Sequence, residues 1–485
     1  MSLSGPETIY GNFIDGEWIA GGELAEDINP SDTRDIVGRS VRATRVDADK
    51  AVASARHAFA KWCHSGLQQR HDFLKGIGDE ILARKDEIGR LLSREEGKTL
   101  AEGIGETARA GQVFLFFAQE VLRLAGEKLG SVRQGIDIEI TREPVGVVGI
   151  ITPWNFPIAL PSWKIAAALA YGNTVVWKPA DLVPATANAL ATIIERAGCP
   201  RGVFNLVNGR GSVVGEAILA NPDVAAVTFT GSVQTGARVA GACAASFKKM
   251  QLEMGGKNPL VVLDDADLAV AVECAANGAF FSTGQRCTAS SRLIVTDAIH
   301  DQFVAALIER MRSLVVGDAL DPASHIGPVV DDNQLRQNLS YIDIGRADGA
   351  RLAAGGEAFD AGRPGYYMRP ALFTEADNSM RIAREEIFGP VACVIRARNY
   401  EEALAMANDT IFGLSAGVCT TSLKYASHFK RNAEAGIVTV NLPTAGIDFH
   451  VPFGGRKGSS YGPREQGRYA AEFYTTVKTA YVLAG

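Results

Sequence analysis

The sequence predicts an α/β protein made of two doubly wound α/β domains and a small, separate β element. Its 485 residues exceed one ordinary core, since chains usually divide beyond about 250–300 residues. From residue 145 short apolar runs alternate with helical patterns, and a second such alternation spans 258–441. Two further stretches, SVRQGIDIEITREP (131–144) and AEFYTTVKTAYVLAG (471–485), read as strands that fit neither alternation.

GNFIDGEWIAGG (11–22) predicts a β-hairpin turning at Asp15-Gly16. Residues 48–123 carry apolar side chains at helical spacing, with acidic residues leading in DADKAVASARHAFAKW. VGVVGIIT, NTVVWKP, GVFNLVNG, AAVTFTG and KMQLEM then predict buried parallel strands, with helices at 158–171, 184–197, 212–220 and 232–246 between them. In the second alternation NPLVVL (258–263), SRLIVT, PVACVI, LSAGVC and GIVTVN (436–441) are the predicted strands. No Pro/Ser-rich linker separates the two, and the boundary is placed near residue 254. The first domain is thus 1–122 with 145–253, and the second is 254–441. Segments 123–144 and 459–485 are left to form a small sheet whose exposed edges would join subunits.

Composition narrows the function. A formal charge of -6 and the lack of a dense basic run argue against nucleic acid as partner. No apolar run approaches the roughly 18 residues of a membrane span. MSLSGPETIYGNF has neither the basic start nor the apolar stretch of a signal peptide. The seven cysteines are widely spaced without a CxxC pair, and the seven histidines form no HExxH pattern. A reduced, cytoplasmic protein without a catalytic metal is the expectation.

Among those cysteines Cys287 has unusual company, FFSTGQRCTASSR (280–292). A nucleophilic cysteine acts as thiolate, so its surroundings must control its pKa, and Arg286 adjoins it. The alternative is a buried thiol that packs as a small hydrophobe. Glu253, in QLEMGGKNP, ends an apolar strand, where open α/β folds bind ligand; Gly255-Gly256 then lets backbone come close to a bound group. Asn155, in ITPWNFP, is a candidate amide donor to a developing oxyanion, or else a turn residue. VNGRGSVVG is one residue longer than GxGxxG, whereas FTGS (229–232) is a strand–turn–helix junction suited to phosphate. Lys178 and Asp181 follow a strand and could meet ribose hydroxyls, or form an exposed pair.

ITPWNFP, WKPA, FTGS, QLEMGGKNP, GQRCTASSR, EEIFGP and PFGGRKGS occur in the order found in the aldehyde dehydrogenase superfamily, which the chain resembles from about Phe13 to Val482. The resemblance implies a modified Rossmann domain that binds NAD, with NADP possible, a catalytic domain, and an oligomerisation element that makes a homodimer or homotetramer. It implies Cys287 as nucleophile, Glu253 as general base and Asn155 as oxyanion donor. On the same motifs it implies cofactor contacts at Thr152, Pro153, Trp154, Lys178, Phe229, Gly231, Ser232, Gly255, Glu386 and Phe388, beside the cofactor candidates Asp181, Gly211 and Gly215 read from WKPADLVP and VNGRGSVVG. Phe156, Trp163, Phe281 and Phe449 resemble positions that line the family's substrate tunnel.

The C-terminal GGRKGSSYGPREQGRYAAEFYTTVKTAY is most similar to bacterial members that oxidise 2-oxoglutarate semialdehyde (2,5-dioxopentanoate). Arg286 is a candidate anchor for a substrate carboxylate, or else an outward arginine paired with a surface acid, and Lys164 is a second candidate anchor. Succinate semialdehyde and betaine-type aldehydes stay open. So do a CoA-acylating dehydrogenase and a silent structural homologue, although a retained Glu253 favours hydrolysis.

Overall fold

The computed structural model describes residues 4–483, so the first three and last two residues of the predicted domain spans lie outside the described residues. Two large sheets dominate. The first has eight strands, and at its centre Val147–Ile151 is flanked by Val224–Thr230 and Thr174–Lys178, all parallel. Lys249–Glu253 extends it on one side and Phe204–Leu206 on the other. The predicted hairpin, Asn12–Ile14 with Glu17–Ile19, closes that second side. Its turn residues Asp15 and Gly16 have φ of 52° and 75°, the left-handed pair that a two-residue hairpin requires.

The second sheet has seven strands, with Asn258–Val262 between Ser290–Thr296 and Ser415–Cys419. Both sheets are buried on both faces, as continuous apolar strands demand. In the first, Val148, Ile150, Val175 and Trp177 face one core and Val147, Val176 and Val227 the other. In the second, Val261, Ile294 and Val418 alternate in the same way with Leu260, Val262 and Leu293.

Residues 48–123 fold as four helices, Arg45–Trp62, Leu67–Ala83, Lys85–Glu96 and Leu100–Val121. The last opens with a capping box in which Thr99 and Glu102 satisfy each other's end of the turn. The helices predicted between the strands are found at Ala159–Ala170, Pro184–Arg196 and Val233–Ala245, while Gly211–Gly215 is a π-helical turn leading into Glu216–Ala220.

The predicted outlying segment divides. Thr475–Leu483 pairs antiparallel with Ile136–Pro144, which also pairs with Glu127–Gly130, in a sheet of its own. Ser460–Tyr461 instead returns to the edge of the first sheet, so the span 459–485 is not one element. Its register sets Ser460 opposite Glu253. A three-stranded sheet, Ile9–Tyr10, Glu23–Ile28 and Ile36–Arg42, is an addition to the expected fold, because the acids Glu23, Glu26 and Asp27 break the apolar alternation that would mark Glu23–Ile28 as a strand. Among the described residues no helix is long and apolar enough to cross a membrane.

Candidate active site

The parallel strands of the first sheet end along one edge at Ile151, Lys178, Leu206, Thr230 and Glu253. The order of strand addition reverses at Val147–Ile151, because the next two strands lie to one side and the following two to the other. Such a switch point opens a crevice beyond the strand ends. Thr152, Pro153, Trp154 and Asn155 form one lip, and Gly231 and Ser232 the other. Ser232 caps the helix Val233–Ala245, its oxygen accepting from Thr235 N, so a helix N-terminus faces the crevice. Trp177 Nε1 donates to Thr152 Oγ1 at 2.9 Å and fixes the first lip. Gly211 and Gly215 bracket the π-helical turn that follows Leu206, and Phe229 is buried under Gly231, whose added Cβ would strike its ring.

Lys178 Nζ and Asp181 Oδ1 sit 2.9 Å apart at the end of the neighbouring strand. From the second domain Glu386 accepts from Gly256 N at 2.9 Å. A side chain at Gly255 would collide with the Glu386 carboxylate, which explains the glycine there. Burial raises the Glu386 carboxyl to about 7. Phe388 holds a left-handed φ of 60° and meets Trp154 edge-on, ring centroids 5.5 Å apart. Sequence-predicted residues from both domains therefore converge on this crevice.

Cys287 lies at its far end, in the loop that enters the strand Ser290–Thr296. The approach is strained, with Ser282, Thr283 and Gly284 at φ of 50°, 56° and 64° in succession. Surrounding groups hold it. Ser282 N and Oγ both donate to Glu102 Oε1, at 2.8 and 2.9 Å, and Val330 N donates to Gln285 Oε1 at 3.0 Å. Asn258 Nδ2 donates to Cys287 O at 2.8 Å and Thr444 Oγ1 to Thr288 O at 2.6 Å. Asn155 Nδ2 donates to Gln285 O at 2.9 Å, which keeps its amide beside the loop and leaves its second hydrogen for another acceptor. Lys98 Nζ in turn donates to Asn155 O at 2.7 Å.

Burial first, then the charges of Glu386 and Glu253, push the Cys287 thiol up to about 12. Glu253 is also raised well above the carboxylate range, by burial and then by Glu465. Its Oε2 accepts from Ser460 Oγ at 2.5 Å. Glu465 is ion-paired with Lys164, and Thr228 donates to it as well, so a buried polar chain lies behind Glu253. No hydrogen bond joins Glu253 to Cys287, so proton transfer between them needs one bridging water or a turn of the Glu253 side chain.

On its other side Cys287 opens into a cavity of about 500 Å³. Phe156 and Trp163 line it, joined by Phe453 and Ile447. Phe281 and Phe449 do not; Phe449 packs on Phe116 instead, 6.3 Å between centroids. Arg286 lines the cavity but is not a free anchor, because its Nη2 is 3.0 Å from Glu102 Oε1. Lys164, the alternative anchor, is fully buried against Glu465 and Thr228. Sequence reasoning missed Glu102, Lys98 and Glu465. Only Glu102 carried a signal, the T-x-x-E capping box at Thr99.

The aldehyde dehydrogenase family model matches residues 18–480. The chain is 44% identical to the alpha-ketoglutaric semialdehyde dehydrogenase of Bacillus subtilis, over 99% of this chain and 100% of that one. It is 42% identical to the alpha-ketoglutarate semialdehyde dehydrogenase of Haloferax volcanii, over 97% and 98%. A crystal structure of betaine aldehyde dehydrogenase from Staphylococcus aureus in complex with NAD+ superposes with a TM-score of 0.95 at 34% identity, covering 98% of this chain and 95% of that one. With a cysteine-bearing loop set between a switch-point crevice and a cavity, and with matches along its whole length, the chain belongs to the aldehyde dehydrogenase family.

Proposed function

We propose that the protein oxidises a carboxylate-bearing semialdehyde, 2,5-dioxopentanoate, to the dicarboxylic acid with NAD+, through a thioester on Cys287. The carrying observation is the position of Cys287 between the two openings, with the Asn155 amide beside it. The crevice fits a dinucleotide. Lys178 and Glu386 suit ribose hydroxyls, and the Ser232-capped helix end suits a phosphate. When bound, NAD+ supplies an acceptor for a hydride. Asp181 keeps a negative charge beside Lys178, which favours NAD over NADP.

Cys287 Sγ bonds to the aldehyde carbon as the thiol proton leaves to a base. The carbonyl oxygen takes the electron pair, and Asn155 Nδ2 with the Cys287 N–H stabilises it. Losing one such donor typically costs about 2.7–4 kcal/mol. The alkoxide collapses, carbon loses its hydrogen as hydride, and C=O reforms as a thioester. Glu253 then takes a proton from water as that water attacks. The C–S bond breaks, sulfur leaves with its electrons, and the acid is released.

The Glu127–Gly130, Ile136–Pro144 and Thr475–Leu483 sheet is the proposed seat of self-association, since Val477, Tyr481, Val482 and Leu483 are exposed on it. A betaine-type substrate fits less well. Its cation would seek aromatic faces, and the Phe156 ring already has Lys98 Nζ at 4.1 Å from its centroid. Initial rates with 2,5-dioxopentanoate, succinate semialdehyde and betaine aldehyde, each with NAD+ or NADP+ and with or without CoA, test the proposal. The expected order is as named, with NAD+ preferred and no CoA requirement. Equal or faster turnover of betaine aldehyde overturns the substrate.

A further inference from the structure

The cavity beside Cys287 contains more charge than an apolar aldehyde needs. Four residues on one face of the helix Leu100–Val121 line it, Glu102, Gly105, Glu106 and Arg109, at the spacing of successive turns. Lys98 Nζ lies 2.6 Å from Glu106 Oε2, and Arg286 Nη2 lies 3.0 Å from Glu102 Oε1. The other Glu106 oxygen accepts Ile158 N and Ala159 N, at 3.0 and 3.1 Å. Each of these charges is thus spent within the protein. Arg109 is not: among the described residues its guanidinium has no hydrogen-bond or ion-pair partner. The acids that face it are Glu106, already engaged, and Asp448, on an exposed loop.

Two more polar groups in the same wall lack partners. Gln466 is fully buried, yet neither its Nε2 nor its Oε1 has a hydrogen bond, and neither has Trp163 Nε1. Buried amides are rarely left so, because an unpaired polar group forfeits its hydration without replacement. Gln466 also keeps a left-handed φ of 58°, held by the paired backbones of Phe453 and Glu465. Its amide is therefore built into the wall.

Resting on the semialdehyde reading above, we propose that Arg109 binds the remote carboxylate of the substrate while Gln466 and Trp163 donate to its 2-oxo oxygen. Seven residues separate Arg109 from Glu102, about 10 Å along the helix. Glu102 holds the arginine next to Cys287, so Arg109 stands several carbons up the cavity from the reacting aldehyde. A carboxylate there completes the one guanidinium that lines this cavity unpaired among the described residues, and an adjacent oxo group meets the unpaired N–H donors. The wall is complementary to a 2-oxo acid rather than to a plain carboxylate.

The test uses three five-carbon aldehydes, 2,5-dioxopentanoate, glutarate semialdehyde and pentanal, with the full enzyme and NAD+. In Arg109→Met the kcat/KM ratio of glutarate semialdehyde to pentanal is expected to fall by roughly tenfold or more, and Arg109→Lys to restore part of it. Gln466→Asn tolerates the left-handed backbone but withdraws the amide, and is expected to lower the ratio of 2,5-dioxopentanoate to glutarate semialdehyde several-fold. A wild type indifferent to the carboxylate overturns the semialdehyde reading itself. A wild-type preference that survives Arg109→Met overturns only the assignment of Arg109, and an oxo preference unmoved by Gln466→Asn overturns that of Gln466. Turnover of pentanal by the same preparations reports that each variant is folded.

Discussion

The first sheet offers ligand the C-terminal ends of its strands, whereas the second brings Cys287 to the N-terminal end of one, Ser290–Thr296. On the first side, short loops follow directly from strand ends, and the ladder itself places Lys178, Gly231 and Glu253. On the second, three left-handed residues turn the chain, and groups far away in sequence must hold it. A site built on strand ends inherits its precision from the sheet. One built on a loop must import precision, and here Glu102 supplies much of it.

Removing the proposed nucleophile tests this contrast most severely. Cys287→Ala should lower kcat by at least about a thousandfold. Dinucleotide affinity, measured by calorimetry, should stay near wild type, since the strand ends that form the crevice lie on the other sheet and its second-domain members Glu386 and Phe388 are untouched. Retained turnover would move the nucleophile elsewhere.

Glu253 joins the two regions, two residues before Gly255 and opposite Ser460. Glu253→Gln should slow steady turnover by roughly a hundred- to ten-thousandfold. A burst of NADH and an acyl adduct on Cys287, seen by intact mass, should accompany the loss. The pH profile sharpens the point. Because burial and Glu465 raise its pKa, Glu253 keeps its proton well above the ordinary carboxylate range, and kcat should climb as pH rises through that raised value. Glu465→Gln removes one of the two causes, so the limb should shift to lower pH. A limb that stays in place separates Glu253 from the rate-limiting proton transfer.

Legibility in the sequence follows the same division. The crevice was readable because its residues sit in contiguous motifs directly after apolar runs, as Asn155, Lys178 and Glu253 do. The cavity was not. Arg286 looked free beside Cys287, and only the fold brings Glu102 to it across 184 positions. Lys164 followed Trp163 in sequence, yet helix geometry turns it inward to Glu465, 301 positions away. Phe449 lies near the tunnel residues in the chain but packs on Phe116. Ser460–Tyr461 was assigned to the outlying sheet because two-residue strands carry no period to read.

Glu102→Ala tests whether the imported precision matters. It removes the acceptor of Ser282 and Arg286 and half of the Thr99 capping box. The expected loss is about 1–3 kcal/mol of stability, read from urea unfolding, and roughly ten- to a hundredfold in kcat/KM. Glu102→Gln should recover much of the stability and less of the activity, since the amide keeps an acceptor but not the charge opposite Arg286. Wild-type activity in Glu102→Ala would show that the other groups suffice to hold the loop.

The smallest expected effect lies in the crevice, at Asp181. Its carboxylate is 2.9 Å from Lys178 Nζ and about a third exposed, so solvent screens the pair. Exposed ion pairs are worth about 0–1 kcal/mol, and a charge change there should alter cofactor choice by no more than about tenfold. The sign is definite. At the proposed ribose clamp Asp181 would repel a 2′-phosphate, and it holds Lys178; Asp181→Ala would end the repulsion and free an ammonium for that phosphate. The NAD-to-NADP ratio of kcat/KM should therefore fall, chiefly through a lower KM for NADP at low salt, and the change should shrink as salt is raised. A ratio that rises instead, or does not respond to salt, would mean that Asp181 faces away from the ribose and that NAD preference arises elsewhere in the crevice.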